Sequence, residues 1–270
     1  MITTNEKWFV DVKTSHGQPG IRTIGVDDLR EALTKGFEDF KAKPSHLILL
    51  VFIYPIVSFF LFIFLAGYDI LPFIFPLLAG FALIGPMTAI GLYELSRRRE
   101  QGLDISLMHS LLGALRSPSI GAIAVLSIIM MVIYFVWLGA SQAIYWLFFG
   151  SLVPDTVEEF ARQIFTTPSG WALIFVGSGV GFLFAVVALA ISAISFPMLL
   201  DRDVGAATAV RTSVRAVVAN PITMAIWGMI VASALVIGAL PFFVGLAVVM
   251  PVLGHSTWHL YRKVVDADVG

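Results

Sequence analysis

Two histidines near the carboxyl end of the chain have a spacing that suits metal binding. His255 and His259 are four residues apart, so both rings lie on one face of a helix. Such a pair binds zinc or approaches a haem iron axially. No glutamate lies between them, so the zinc-peptidase pattern HExxH is absent. The spacing predicts either a metal or haem site or an interfacial pair of histidines that contacts Tyr93 and Glu94.

Two clusters of basic residues follow long apolar runs. One is Arg97, Arg98 and Arg99, and the other is Arg262 and Lys263. Basic residues at the ends of membrane spans fix the orientation of the chain, and they attract anionic lipid headgroups. We therefore predict that these five residues determine topology and contact lipid.

The polar residues within the apolar runs are mostly hydroxyls, and no charged residue lies at the centre of a run. Hydroxyls at this depth either hydrogen-bond between helices or line a solute path, for which Thr88, Ser195 and Thr223 are the candidates. Gly177 and Gly181 form a GxxxG pair, which predicts close helix packing. No catalytic constellation and no phosphate-binding loop is evident. The sequence thus predicts no enzyme, no catalytic residue and no bound cofactor.

The composition indicates an α-helical integral membrane protein. Of the 270 residues, 58% are hydrophobic and 13% are charged, against about 25% charged residues in soluble domains. Several apolar runs are long enough to span a bilayer. The absence of cysteine excludes disulfides and thiol catalysis, and the net charge of −1 gives no indication of nucleic-acid binding.

Three amphipathic segments, each ending at a proline, divide the chain into repeats. Their apolar positions fall at the same offsets from Pro44, Pro118 and Pro221. The predicted helices and their apolar residues are Asp28–Lys43 with Leu33, Phe37 and Phe40, Asp104–Ser117 with Leu107, Leu111 and Ala114, and Asp203–Asn220 with Val210, Val214 and Val217. Asp27 is the predicted cap of the first helix.

Each repeat is predicted to contain two membrane spans after its amphipathic helix. A polar tail (1–24) precedes a six-span membrane domain (25–266), and a short tail (267–270) follows it. The repeats cover about residues 27–101, 102–201 and 202–263. The predicted spans are His46–Gly67, Ile70–Ser96 with prolines at 72, 76 and 86, Ile120–Phe149, Trp171–Leu200, Ile222–Ala239 and Leu240–Leu260.

The distribution of basic residues predicts the orientation of the chain. All of them except Arg162 lie in the amino-terminal segment, the amphipathic connectors or the carboxyl-terminal tail. The positive-inside rule then places both termini and all three amphipathic helices in the cytoplasm. These helices either lie in the membrane plane or form a cytoplasmic collar under the spans. The composition fits a bacterial inner membrane.

Three stretches, SFPMLLDRDVGAATAVRTSVRAVVANP (195–221), PVLGHSTWHLYRKVV (251–265) and GLYELSRRREQG (91–102), resemble a family of bacterial integral membrane proteins of unknown function, the domain-of-unknown-function family numbered 2189. Some of its members carry a cytochrome c oxidase label. The resemblance implies a six-span inner-membrane protein in aerobic bacteria, with a respiratory role near a terminal oxidase. It carries over no catalytic residue.

These observations lead to one expected function and two alternatives. The first expectation is a non-enzymatic accessory, scaffold or assembly partner of an inner-membrane complex such as a terminal oxidase, in contact with membrane lipids. The second is a permease or channel for a small solute. The third is a membrane protein that binds a metal or haem through His255 and His259.

Overall fold

The computed structural model describes residues 13–14, 19–42, 74–103, 117–151, 154–241 and 244–266. Helices make up nearly all of the described chain, and one short pair of strands joins them. In chain order the elements are β1 (Lys13–Thr14), α1 (Val26–Ala42), α2 (Ile74–Thr88), α3 (Ile90–Glu100), α4 (Ile120–Phe149), α5 (Val157–Thr166), α6 (Pro168–Ser192), α7 (Ser195–Asp201), β2 (Arg202–Asp203), α8 (Ala206–Ala219), α9 (Pro221–Ala239) and α10 (Leu246–Val264).

Four helical stretches of the described residues are long and apolar enough to cross a membrane. This confirms an all-α integral membrane protein. The predicted first span, His46–Gly67, and the predicted second amphipathic helix, Asp104–Ser117, lie outside the described residues except for Ser117. The four stretches are Phe75–Glu100, Ile120–Phe149, Pro168–Asp201 and Pro221–Ala239.

The predicted sixth span differs from the observed helix. We predicted a span over Leu240–Leu260, but α10 begins only at Leu246 and continues to Val264. The helix is not among the four candidate spans. The reason is that its second half contains both histidines and the basic pair Arg262 and Lys263, and most of that half is buried within the protein. Six spans and a threefold repeat therefore remain predictions.

Two of the candidate spans are interrupted, one near its middle and one near its carboxyl end. The α2–α3 break is at Ala89, three residues after Pro86, and the α6–α7 break is at Ala193 and Ile194. The backbone N–H of Ile194 donates to the Ser213 hydroxyl at 3.2 Å, which ties the second break to α8. The sequence indicated the first interruption through its prolines, whereas the fourth span was predicted to be continuous.

The ends of the candidate spans meet in one layer, called here the charged side. Arg97 of α3 lies near Asp201 of α7, and Ser119 before α4 donates to the Arg202 carbonyl at 3.2 Å. The amino-terminal segment joins this layer, because β1 pairs in parallel with β2 and Asn220 accepts a hydrogen bond from Ile24 N at 2.8 Å. Several of the bulkiest fully buried side chains of the described residues lie in or near this layer. They are Tyr93, Phe196, Trp227, Trp258 and Tyr261.

Two of the three predicted amphipathic helices are described, and in both the fully buried residues lie one position before the predicted ones. Of the predicted apolar residues, Leu33, Val210 and Val217 are half-buried and pack against the core. In α1 the buried residues are Leu29, Ala32 and Gly36, while Phe37 of the predicted face is 43% exposed. In α8 they are Ala209, Thr212, Ser213 and Ala216, while Val214 is exposed. Each buried face is displaced by one residue, or about 100° around the helix. Small residues allow close approach at these crossings, and this outweighs the hydrophobic gain from burying valine or phenylalanine.

The start of α1 also differs in detail. Helix α1 begins at Val26, and the Asp28 carboxylate accepts a hydrogen bond from Gly25 N at 3.0 Å. Asp27 is therefore the second residue of the helix and not its cap, and Asp28, the third residue, binds the N–H of Gly25 in front of the helix. On the opposite side of the protein, Thr156 caps α5 by accepting from Glu159 N at 3.1 Å.

Candidate functional site

Asp39 is the centre of a polar cluster that joins three helices. Its Oδ2 atom accepts from the Ser96 hydroxyl at 2.5 Å and contacts His259 Nε2 at 2.8 Å. Its Oδ1 atom accepts from Arg99. Ser96 and Arg99 belong to α3, and His259 belongs to α10. One carboxylate of α1 thus holds side chains from both neighbouring helices.

The environment of Asp39 favours its ionised form. Only 8% of the side chain is exposed, and burial alone would raise the pKa. The hydrogen bonds from His259 and Ser96, together with the charges of His259 and His255, outweigh this effect. The pKa of Asp39 is therefore lowered from its ordinary value. A carboxylate is a strong hydrogen-bond acceptor, so the cluster is a stable anchor for its donors.

The cluster brings a serine, a histidine and an aspartate together, but not in the order that nucleophilic catalysis requires. The Ser96 oxygen lies 2.7 Å from His255 Nδ1, and its proton is donated to Asp39. His255 Nδ1 then donates to the serine and cannot act as its base, and the aspartate orients the other histidine. Ser96 is also only 1% exposed. The sequence indicated no catalytic placement for these residues, and their geometry favours a structural role.

The two histidines share one face of α10, as their spacing predicts. The ring of His259 contacts Asp39, and that of His255 contacts Ser96. Contact of the pair with Tyr93 and Glu94 stays a prediction. Among the described residues, no group of three or more His, Cys, Asp or Glu side chains is arranged to hold a metal ion. The metal site at His255 and His259 stays a prediction.

A second polar cluster surrounds Asp201 at the end of α7. The Tyr261 hydroxyl donates to Asp201 Oδ2 at 2.7 Å, and Arg262 Nη1 donates to the same oxygen at 3.3 Å. Arg262 also donates to Glu100 at 3.1 Å, and Trp258 Nε1 donates to Glu100 at 3.0 Å. This cluster connects α3, α7 and α10.

The five basic residues predicted to contact lipid all form ion pairs with acidic residues of the same chain. Arg97 and Arg98 are buried and lie 3.3 and 3.8 Å from the Glu94 carboxylate. Arg99 pairs with Asp39, as described above. Arg262 pairs with Glu100 and Asp201, and Lys263 donates to Glu31 at 2.5 Å. Lipid contact by these residues stays a prediction, and their internal ion pairs are an additional role.

The two glycines of the predicted pair differ in their surroundings. A Cβ atom added to Gly181 would lie 3.1 Å from the Trp137 ring, whereas one added to Gly177 would meet no described residue within 4 Å. Close helix packing at both glycines stays a prediction.

The three hydroxyls of the predicted solute path each bind a different part of the backbone. Thr88 is exposed and donates to Gly85 O, and Ser195 donates to Ile191 O. Thr223 donates to Ile24 O at 2.9 Å. Each hydroxyl is engaged with a backbone carbonyl.

Several residues on the charged side, among them both central aspartates, were not singled out from the sequence. Asp39 continues the series Leu29, Ala32 and Gly36 at helical spacing, so the true buried face of α1 would have pointed to it. Asp201 and Arg202 directly follow the apolar run of α6 and α7. Charges in that position are ordinary at a membrane boundary, and nothing in their sequence context distinguishes buried charges from exposed ones.

The comparisons with known proteins support the membrane assignment. Residues 74–201 match a family described as "Predicted integral membrane protein (DUF2189)". This stretch makes up a little less than half of the chain, and it confirms the resemblance predicted from the sequence. Searches of curated proteins and of solved structures gave no match.

Proposed function

We propose that the protein is a non-enzymatic component of a bacterial inner membrane, acting as an accessory or assembly partner of a respiratory complex such as a terminal oxidase. The observation that carries the proposal is the arrangement around Asp39, where serine, histidine and arginine side chains are used to join α1, α3 and α10. Ser96, His255 and His259 are residue types that can be reactive, but here their side chains form hydrogen bonds between helices.

Helix α1 is the element best placed to contact a partner. It runs antiparallel to α10, because Glu31 contacts Lys263 near its start and Asp39 contacts His259 near its end. Its small-residue face is buried on α10, and its opposite face carries the exposed residues Arg30 and Glu38. A rigid helix with a free charged face suits recognition of another protein.

The proposed localisation rests on charge. The clusters of Arg and Lys lie on the charged side, whereas α5 on the opposite side carries Glu158 and Glu159. The positive-inside rule favours a cytoplasmic position for the charged side, and with it for both termini.

Mild purification tests this function. We expect an affinity-tagged protein to retain subunits of an inner-membrane respiratory complex, identified by mass spectrometry, and to show no Soret band of its own once it is separated from those subunits. Reversing the outer charges of α1 (Arg30→Glu with Glu38→Arg) should reduce the retained subunits at least fivefold. The matched control, Glu158→Arg on α5, should retain them. Equal retention by the two variants, a chain that purifies alone after cross-linking, or an intrinsic haem spectrum would contradict the proposal.

A further inference from the structure

Two buried arginines present N–H groups that have no hydrogen-bond partner among the residues that the structure describes. Arg97 is 3% exposed, and its Nε and Nη2 atoms are both unpartnered; Arg202 is 2% exposed, and its Nε atom is unpartnered. A buried donor without an acceptor is costly, and more so when it carries charge. Buried polar groups normally have a partner, so these donors are candidates for binding an acceptor from outside the chain.

The two unpartnered groups of Arg97 lie on one edge of its guanidinium. Nε and Nη2 donate in parallel, and this edge is the one that binds carboxylate or phosphate oxygens in a bidentate manner. The third nitrogen, Nη1, already donates to Glu94 at 3.3 Å. Arg97 therefore offers a complete bidentate edge while its other end is fixed in place.

Arg202, the first residue of β2, approaches the same point directly after α7. Its Nε lies 3.9 Å from Asp201 Oδ2, and Arg97 Nε lies 3.9 Å from Asp201 Oδ1. Both distances exceed hydrogen-bonding range. Asp201 Oδ2 is instead bound by Tyr261 and Arg262. The aspartate thus lies between the two guanidiniums without satisfying either, and their unpartnered nitrogens lie next to a single carboxylate.

The local charge also favours an anion. Among the described residues of this region, the guanidiniums of Arg97, Arg98, Arg202 and Arg262 outnumber the carboxylates of Glu94, Glu100 and Asp201. Glu94 and Asp201 are each shared between more than one arginine. One bound oxyanion would balance the charge and satisfy the free edge of Arg97.

We propose that Arg97 and Arg202 form a binding site for a phosphate-type oxyanion on the charged side of the membrane domain. Arg97 binds it through Nε and Nη2, and Arg202 binds it through Nε. The site lies at the ends of the candidate spans Phe75–Glu100 and Pro168–Asp201, which is the depth of phospholipid headgroups. The ligand is either the phosphate of a phospholipid or free inorganic phosphate. This site does not depend on the proposed accessory role.

Phosphate titration of delipidated, detergent-purified protein tests the site. We expect inorganic phosphate to raise the thermal unfolding temperature at constant ionic strength. Arg97→Lys keeps the charge but removes the bidentate edge, and it should weaken this binding roughly 10- to 100-fold, as should Arg202→Lys. Arg211→Lys, an exposed position of α8, is the matched control and should bind phosphate like the unaltered protein.

Native mass spectrometry of protein purified without delipidation identifies the source of the phosphate. Phospholipid retained by the unaltered protein and by Arg211→Lys, but lost from Arg97→Lys and Arg202→Lys, identifies a lipid headgroup. A phosphate-dependent shift without retained lipid identifies free phosphate. Asp201→Asn removes the nearest negative charge and should strengthen phosphate binding, which keeps the proposal testable if a lysine variant does not fold. No response to phosphate and no retained lipid, or equal responses in all variants, would overturn the proposal.

Discussion

At the scale of single residues, the buried carboxylate of Asp39 holds the helix α1 against α3 and α10 through polar contacts. It accepts hydrogen bonds from Ser96 and Arg99 of α3 and contacts His259 of α10. Charge-assisted hydrogen bonds contribute about 1.5–3 kcal/mol each, and a buried charge without its donors would be costly. The position of α1 therefore depends strongly on this side chain.

Asp39→Asn should destabilise the protein by about 2–3 kcal/mol, because the amide carries no charge for His259 and Arg99. We expect the thermal unfolding temperature in detergent at pH 7 to fall by roughly 5–10 °C. The matched control is Glu38→Gln, at the exposed neighbouring position. A variant that unfolds at the same temperature as this control would show that Asp39 does not hold α1.

The lowered pKa of Asp39 gives the same prediction a pH dependence. Since the folded-state pKa lies below the ordinary aspartate value of about 3.9, the carboxylate stabilises the fold above that pH. This contribution is lost as the pH falls through the folded-state pKa. Between pH 5 and pH 3 the unaltered protein should therefore lose more stability than Asp39→Asn.

At the scale of elements, the helices on the charged side pack through small residues. Gly36 of α1 lies against Ser256 of α10, and a Cβ atom at Gly36 would approach the Ser256 backbone nitrogen to 2.6 Å. The buried face of α8 likewise consists of alanine, threonine and serine. Close backbone approach brings Asp39 within reach of α3 and α10, so this packing positions the polar cluster.

Gly36→Ala should separate α1 from α10. The added methyl group meets backbone atoms, which cannot rotate away, and overpacking of this kind costs about 1–3 kcal/mol. The matched control is Gly139→Ala in α4, where an added Cβ meets no described residue within 4 Å. That variant should be neutral or up to about 1 kcal/mol more stable, because alanine favours the helix. Chemical unfolding in detergent measures both, and equal stabilities would contradict the close crossing.

The sequence predicted the elements more accurately than their faces. Ile120–Phe149 is the observed helix α4, and the predicted helices around α1 and α8 are present. The fully buried residues of α1 and α8 lie one position before the predicted ones, because the prediction ranked residues by hydrophobicity. Next to a membrane, apolar side chains such as Val214 need not face the protein core. The hydrophobic pattern of a helix therefore does not predict which face is buried in the protein. The predicted bounds of the helix α10 were wrong for a related reason. The apolar first half of the segment suggested a membrane span, although its polar second half is buried within the protein.

At the scale of the whole molecule, the described residues divide into a well-packed layer and loosely packed spans. Large side chains such as Trp227, Trp258 and Tyr261 are almost fully buried on the charged side. In the spans, Phe182 and Ile222 are more than 60% exposed. In a bilayer such residues contact lipid at no cost, because there is no hydrophobic drive between helices. Polar bonds and close packing in the layer then determine how the spans are held together.

Cysteine labelling tests the resulting topology, and the chain suits it because it contains no natural cysteine. Helices α1 and α8 contact the charged side, whereas α5 connects the far ends of α4 and α6. We expect Glu38→Cys and Arg211→Cys to react with a membrane-impermeant maleimide only after the membrane is opened. Glu158→Cys should react in intact spheroplasts. Labelling of Glu38→Cys and Glu158→Cys from the same side would contradict this arrangement. It would also remove the support for the predicted first span, His46–Gly67, because the chain between α1 and α2 would then have no reason to cross the bilayer.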